Sequence, residues 1–266
     1  MAVSAADVKQ LRDATGAGMM DAKKALEEVD GDQVAAAQLL RERGLSKVVS
    51  RSERANTEGA VGTFLDRDKG VAALVELKCE TDFVAKNPDF VNMAHELAAL
   101  VAEGGEGAVE QKKDELDTLK ITLKENIDVG AIKRLESAEG MAVDLYQHVQ
   151  DGRVKNGVVV VLDGGSVDLA HDIAVHAAFT KPRYLSRDQV PADVVDAERA
   201  TFETIARNEG KPDAALPKIV EGRLNGFYKD VVLLDQPYVR DDKQSISKLL
   251  GGATVAAFAQ VVIGGK

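Results

Sequence analysis

Apolar positions recur along this chain with two periods, one helical and one strand-like, and the switches between them divide it. At the start, Ser4 can cap a helix that shows Val8 and Leu11 on one face, and Gly16 and Gly18 break it. A second helix holds Met20, Ala25 and Leu26 and stops near Asp30-Gly31. A third begins at Asp32, carries Val34, Ala37, Leu39 and Leu40, and ends at Gly44. Residues 45–58 are polar and lack a clear period, so they read as a linker, partly helical, whose lysines and arginines are either solvated or a contact patch. The period then becomes that of strands. Residues 61–65 and 71–77 flank Asp68-Lys69-Gly70 as a β-hairpin. Pro88 opens a helix with a stripe of Phe90, Val91, Ala94, Leu97, Ala98 and Val101, closed by Gly104-Gly105.

Residues 107–126 are charged and helical in pattern, and 126–137 and 141–148 read as strands. Residues 156–162 form a strong strand of the fully buried kind. Asp163-Gly164-Gly165-Ser166 turns the chain into a helix from Val167 that points Ile173, Ala174, Ala177 and Ala178 inward. After Lys181-Pro182 two amphipathic helices follow. One runs from Pro191 to Asn208 with Val194, Val195, Ala197, Phe202 and Ile205; the other starts at Asp213 with Leu216, Ile219, Val220, Leu224 and Phe227. The Gly210-Lys211-Pro212 turn between them makes an antiparallel helical hairpin with charged outer faces. Residues 231–234 and 253–263 are again strand-like, with a short helix near 245–250 between them, and the last strand is expected to rejoin the sheet of the second half.

An internal echo organises the middle. Ala94-His95-Glu96-Leu97-Ala98 is similar to Ala170-His171-Asp172-Ile173-Ala174, and each follows an aliphatic strand placed after a glycine, Gly70 or Gly157. The first copy spans 24 positions from glycine to helix and the second 13, which gives the first 11 extra residues. The pattern predicts an α+β fold: a small N-terminal three-helix unit (1–44), a linker (45–58), and a duplicated α+β core with antiparallel sheets (59–140, then 141–187 with 230–266). An antiparallel helical hairpin (188–229) is inserted into the second half.

Composition narrows the class. Asp and Glu number 44 against 34 Lys and Arg, a net charge of −10, which argues against direct nucleic-acid binding through a basic face. With no Trp and 4% aromatic residues, the cores are aliphatic and alanine-rich. One cysteine forms no internal disulfide and suits a reducing compartment. The longest uninterrupted aliphatic run, residues 158–162, is far shorter than a membrane span, and the N-terminus lacks an apolar leader; a soluble cytoplasmic protein is expected.

Candidate chemistry is sparse. His171 and His176 are five apart, off the same-face spacing a helical metal pair needs, so the histidines are expected to be structural; His148, beside the Asp151-Gly152-Arg153 turn, is a candidate contact. Cys79 has no partner base in sequence and reads as a buried thiol. The strand, Gly164-Gly165 turn and helix could cradle a phosphate, but the Gly-Lys-Ser/Thr ending and the Gly-x-Gly-x-x-Gly spacing are both missing. No cofactor, metal cluster or catalytic triad is expected.

The richest stretch is Cys79-Glu80-Thr81-Asp82-Phe83-Val84-Ala85-Lys86-Asn87, between the 71–77 strand and the Asn87-Pro88-Asp89 helix start. Phe83 either folds back onto the core or stands out on a surface connection, and the extra length of the first copy favours a functional loop. This stretch resembles the signature of the elongation factor Ts family, and residues 11–26, Leu11 through Gly16-Ala17-Gly18-Met19-Met20 to Leu26, resemble that family's other signature. The resemblance covers essentially the whole chain. It implies an N-terminal unit of the ubiquitin-associated type and a guanine-nucleotide exchange factor, not an enzyme, acting on the GTPase elongation factor Tu. Thr81, Asp82, Phe83 and Val84 would then disturb the partner's magnesium and phosphate site, with Leu11, Met19, Met20, Lys23 and His148 as further contacts. One of Met19 and Met20 is expected to fill the core and the other to face the partner. The hairpin would meet either the GTPase or a second copy of this chain. Two readings of other classes are an adaptor that pairs through the hairpin and an enzyme with its pocket at Gly164-Gly165; neither would speed nucleotide release from the GTPase.

Overall fold

Capping chemistry sets the first helices. In the computed structural model, which describes residues 3–265 and only the backbone of 45–49, Ser4 and Asp7 cap each other reciprocally at the start of α1 (Ala5–Thr15). Gly16, at φ 66°, ends it. Helix α2 (Met19–Glu28) stops before Asp30 and Gly31, both left-handed. Asp32 Oδ1 then accepts from the amides of Val34 and Ala35 at the head of α3 (Gln33–Val49). Val8, Leu11, Ala22, Ala25, Leu26 and Ala36 form the core of this three-helix unit.

Two expectations fail here. Val34 is 80% exposed, and Ala36 takes the inward position. Gly44 does not end the third helix; α3 continues through it to Val49. A Cβ at Gly44 would lie 2.8 Å from the Ile121 side chain, so the glycine lets α3 cross a later helix closely rather than stopping it. The start of the expected linker is therefore helical, and the side chain of Lys47, one cation of the candidate contact patch there, lies outside the described residues.

The core begins with β1 (Glu58–Asp66) and β2 (Val71–Cys79), an antiparallel hairpin in the register Glu58↔Cys79 to Asp66↔Val71. After β2 come a single helical turn, α4 (Asp82–Ala85), and the long α5 (Pro88–Gly104). A 3-10 stretch, Glu106–Lys112, and α6 (Lys113–Leu123) lead to β3 (Asp128–Glu136), which pairs antiparallel with β2. The second half repeats the plan. Strands β4 (Ala142–Gln150) and β5 (Arg153–Asp163) form a hairpin, and α7 (Val167–Thr180) follows the central strand. The helical hairpin α8 (Ala192–Asn208) and α9 (Leu216–Val231) intervenes. A small ribbon of β6 (Pro237–Tyr238) and β7 (Asp241–Ser245) and the turn α10 (Ile246–Leu249) precede β8 (Thr254–Val262), which pairs with β5.

The sheets, ordered β1-β2-β3 and β4-β5-β8, pack face to face through Val61, Ala72, Leu74, Val143, Val159, Val161 and Val261. Their outer faces carry α5 with α6, and α7. The order helix, sheet, sheet, helix explains the aliphatic, aromatic-poor composition: two closely apposed sheets leave room for Val, Ala and Leu and little else.

The glycine-anchored comparison of the two halves needs revision. Gly157 lies inside β5, where the sheets touch and a Cβ would sit 2.9 Å from Leu74, not ahead of the strand. Between strand and helix, residues 80–87 in the first half stand against 164–166 in the second. The first connection is longer by five residues, not 11. Residues 231–234, expected to be strand-like, contribute a single bridge, Tyr184 to Val232, and then a 3-10 turn, Leu233–Asp235. Their apolarity serves burial: Val231 and Val232 pack with Val190 to root the hairpin in the second half. Within the hairpin, Ala206, Leu216, Val220 and Leu224 are buried.

Candidate functional site

Thr81, Asp82, Phe83 and Val84 build a short capped turn at the end of β2. Cys79 closes the strand fully buried, its thiol donating to the Thr81 carbonyl at 3.2 Å. Burial, with a smaller push from the Glu125 charge, raises that thiol to about 12, so it is a structural group. Thr81 is the N-cap of α4, its hydroxyl accepting from the Val84 amide. Asn87 caps the following helix by accepting from the Asp89 amide at 2.8 Å. Two helix starts in eight residues leave little freedom between them.

Inside this turn the side chains divide. Ala85 is fully buried and Val84 packs against the first-half core. Phe83, one position earlier and so about 100° around the turn, is 83% exposed. Of the two sequence readings of Phe83, the structure takes the surface one. Asp82 binds Lys86 at 2.7 Å, one helical turn on. That hydrogen bond holds the Asp82 carboxyl below its ordinary value and the Lys86 ammonium above its own. Both groups are solvent-accessible, so the pair orients the Asp82 carboxylate more than it stabilises the fold.

The base of the loop is gripped from the α6–β3 connection. Glu125 accepts from the amides of Glu80 and Thr81, at 3.0 and 3.1 Å, and from the Thr81 hydroxyl at 2.5 Å. In return Glu80 accepts from the Asn126 amide at 2.7 Å. Hydrogen bonds to a charged acceptor contribute about 1.5–3 kcal/mol when shielded, and less at a half-exposed site. An exposed aromatic is thus held on a doubly capped, clamped turn.

The hairpin tip between β4 and β5 lies at the same end of the molecule. Arg153, at the start of β5, is buried and donates from Nε to the Gly59 carbonyl at 2.9 Å and from Nη2 to Glu58 at 3.0 Å. Glu58 pairs across the sheet with Cys79, which leads into the loop. His148 and Val149 near this tip are exposed, and the charge of Asp151 in the turn acts on Lys86. The structure therefore brings His148 and Phe83 to one end of the core.

The N-terminal candidates fare differently. Met19 and Met20 are 48% and 64% exposed, so neither fills the core as expected of one of them. Both stand in the first turn of α2, beyond the inward Ala22, Ala25 and Leu26 face. Lys23 is exposed and lies 3.6 Å from Glu27. Leu11, the buried one of these candidates, is 1% exposed and packs in the three-helix core. Between this unit and α6 lies a cleft of about 520 Å³ lined by Gly16, Gly44, Arg41, Thr118, Ile121 and Lys124, none of them from the Phe83 loop.

The remaining histidines are bonded within the fold. His95 meets the Thr63 amide, His171 meets Asp144 at 2.8 Å, and buried His176 meets Gln236. Among the described residues no group of His, Cys, Asp and Glu is arranged to hold a metal ion, and no helix is long and apolar enough to cross a membrane. Sequence reasoning missed Glu125, Asn126 and Arg153. The register of β2 on β3, with Lys78 opposite Asp128, sets Thr81 opposite Glu125 once it is continued past the strand ends, so pairing was the signal that could have found the clamp.

Comparison with known proteins agrees with this architecture. A family model described as Elongation factor TS matches residues 80–265. Proteins named elongation factor Ts are similar along almost the whole chain. The one from Renibacterium salmoninarum is 44% identical over 275 residues, that from Clavibacter sepedonicus 44% over 273, and that from Saccharopolyspora erythraea 46% over 271. Each alignment covers 98% of this chain and 98% of the relative. The match takes in both sheets, the inserted hairpin and the clamped loop, and the chain belongs to the elongation factor Ts family of translation factors.

Proposed function

We propose that this protein is a guanine-nucleotide exchange factor for elongation factor Tu. It binds the GDP complex and promotes GDP release so that GTP can enter, and it catalyses no bond-making reaction. The observation that carries the reading is Phe83, 83% exposed on a turn capped by Thr81 and clamped by Glu125. A large apolar ring held out on a rigid support gains contact when it is covered, at small entropic cost.

The thermodynamics fixes what such a factor must do. A partner shifts an equilibrium only by its differential affinity for the two states, and the coupling is reciprocal: GDP must weaken the factor's binding as the factor weakens GDP. In this reading Phe83 wedges between elements beside the partner's magnesium and phosphate site. Asp82, its carboxylate already oriented by Lys86, disturbs the magnesium ligands or repels phosphate oxygens at short range. Thr81 and Val84 anchor the turn, and His148 touches the partner from the adjoining hairpin. The three-helix unit, residues 1–44, holds the nucleotide-binding domain with Met19, Met20 and Lys23 on its exposed face. Met side chains suit that task because they adapt to the surface they meet. The cytoplasm is the compartment this reading assigns, consistent with one buried free thiol.

The test is GDP release from purified elongation factor Tu with and without the protein. A release rate that rises with the protein's concentration to a plateau is the expected result. An unchanged rate would overturn the proposal and leave an adaptor role through the helical hairpin.

A further inference from the structure

Two connections meet at Glu125-Asn126. On one side is the base of the Phe83 loop, where Glu125 accepts the amides of Glu80 and Thr81 and the Thr81 hydroxyl. On the other is the segment that joins the three-helix unit to β1. The Asn126 side-chain amide, in a residue only 6% exposed, donates to the Ser52 carbonyl at 3.3 Å and to the Arg54 carbonyl at 2.8 Å. Arg54 in turn lies 3.5 Å from Glu80, and Asn56 donates to Asp128 at 3.0 Å. Glu80 also accepts the Asn126 backbone amide.

We propose that Glu125 and Asn126 are positioning residues that hold the Phe83 loop and the linker from the three-helix unit in one fixed register. The inference rests on the exchange reading above and adds how two separate contact elements are aimed together. A unit carrying Met19 and Met20 on a free tether would orient itself independently of the loop. Together with the close crossing of α3 over α6 at Gly44 and Ile121, the two carbonyls bound by Asn126 remove that freedom, and Asn126 does so where the linker passes the loop base. The division of labour follows from the partners. Glu125 grips the loop itself, so its loss loosens Phe83 while leaving the docking surfaces in place. Asn126 grips the linker, so its loss raises the entropic cost of engaging both elements at once.

The experiment uses the full chain and measures GDP release from elongation factor Tu over a range of factor concentrations, with amide hydrogen exchange on the free factor. Glu125→Gln and Thr81→Val are expected to lower the plateau rate about tenfold, the equivalent of one charge-assisted hydrogen bond. They should shift the half-saturating concentration by less than about threefold and speed exchange of the Glu80 and Thr81 amides. Thr81→Ser, which keeps the hydroxyl, should restore the plateau. Asn126→Ala should raise the half-saturating concentration about tenfold at an unchanged plateau. Phe83→Ala serves as the reference. Unchanged plateau, half-saturation and amide exchange in the Glu125, Thr81 and Asn126 variants, beside a slowed Phe83→Ala, would overturn the positioning role and leave the exchange reading standing. Normal release by Phe83→Ala would overturn the wedge role of Phe83, and release by the unaltered factor no faster than without it would overturn the exchange reading; in either case the amide exchange of the free factor would still decide whether Glu125 holds the loop. Thr81→Val also removes the hydroxyl that caps α4 at the Val84 amide, so if Glu125→Gln folds poorly the clamp is tested with Glu125→Asp, which shortens the reach to the Glu80 and Thr81 amides and leaves the cap in place.

Discussion

Replacing Phe83 by alanine separates a working surface residue from a structural one. A phenylalanine side chain exposes roughly 150–250 Å² when free, and Phe83 is 83% exposed, so only about a sixth of that surface is covered in the folded chain. At about 25 cal/mol/Å² the covered part contributes roughly 0.6–1 kcal/mol. Alanine's better helix propensity in α4 offsets about 0.5 kcal/mol of that. The net change is within about 0.5 kcal/mol, a melting shift of about 2 °C or less for a chain of this size. On the partner the arithmetic reverses. Covering the exposed remainder of the ring places Phe83 among contacts whose truncation costs about 2–4 kcal/mol. If even the lower half of that range is realised only in the release transition state, stimulated GDP release slows about thirty- to 150-fold. The assay is paired: thermal unfolding of the variant alone, and GDP release from elongation factor Tu at saturating variant. A melting loss of the size expected for a core Phe→Ala, about 3–5 kcal/mol, together with normal release by the folded fraction, would refute the reasoning.

Other parts of the fold are open to test as well. Replacing residues 196–226 by a short glycine-serine linker should leave a cooperative unfolding transition, because Val190, Val231 and Val232 at the hairpin's root are retained; a molten product would show that the hairpin is integral to the core. Cys79, pushed to about 12 by burial, should react with a disulfide reagent at about pH 8 only as fast as the chain opens, and prompt labelling of the native protein would contradict its placement. Burial holds the His176 imidazole below its ordinary value of 6.5, against a weaker opposite pull from its hydrogen bond to Gln236. The unfolded chain then binds more protons below that pH, so stability is full above about pH 6.5 and declines as pH falls through it; His176→Gln should flatten the acid limb of urea midpoints measured from about pH 7.5 to 5, and superimposable curves for the two proteins would remove His176 as the cause.

Local chemistry makes much of this protein legible in its sequence alone. Ser4, Asp32, Asn87 and Ser166 start helices because a side-chain oxygen can satisfy an orphan amide, and that signal is contained within a few residues. The two motifs that resemble the elongation factor Ts family are likewise contiguous, and so is the turn that carries Phe83. What the sequence left open depends on partners far away along the chain. Both readings of Phe83 fitted the pattern, and only the burial of Val84 and Ala85 against the first-half core turned the ring outward. Met19 and Met20 could not be divided between core and surface by period, because Ala22, Ala25 and Leu26 already fill the narrow three-helix interior. Gly44 reads as a helix stop until Ile121 is seen against it, and Gly157 as a strand's beginning until Leu74 is. The clamp at Glu125 and Asn126 joins residues more than forty positions apart and exists only because β2 and β3 pair in one register. Short-range hydrogen bonding is set by neighbours in sequence, whereas burial, close approach and strand register are set by which surfaces meet, and the tertiary structure decided those.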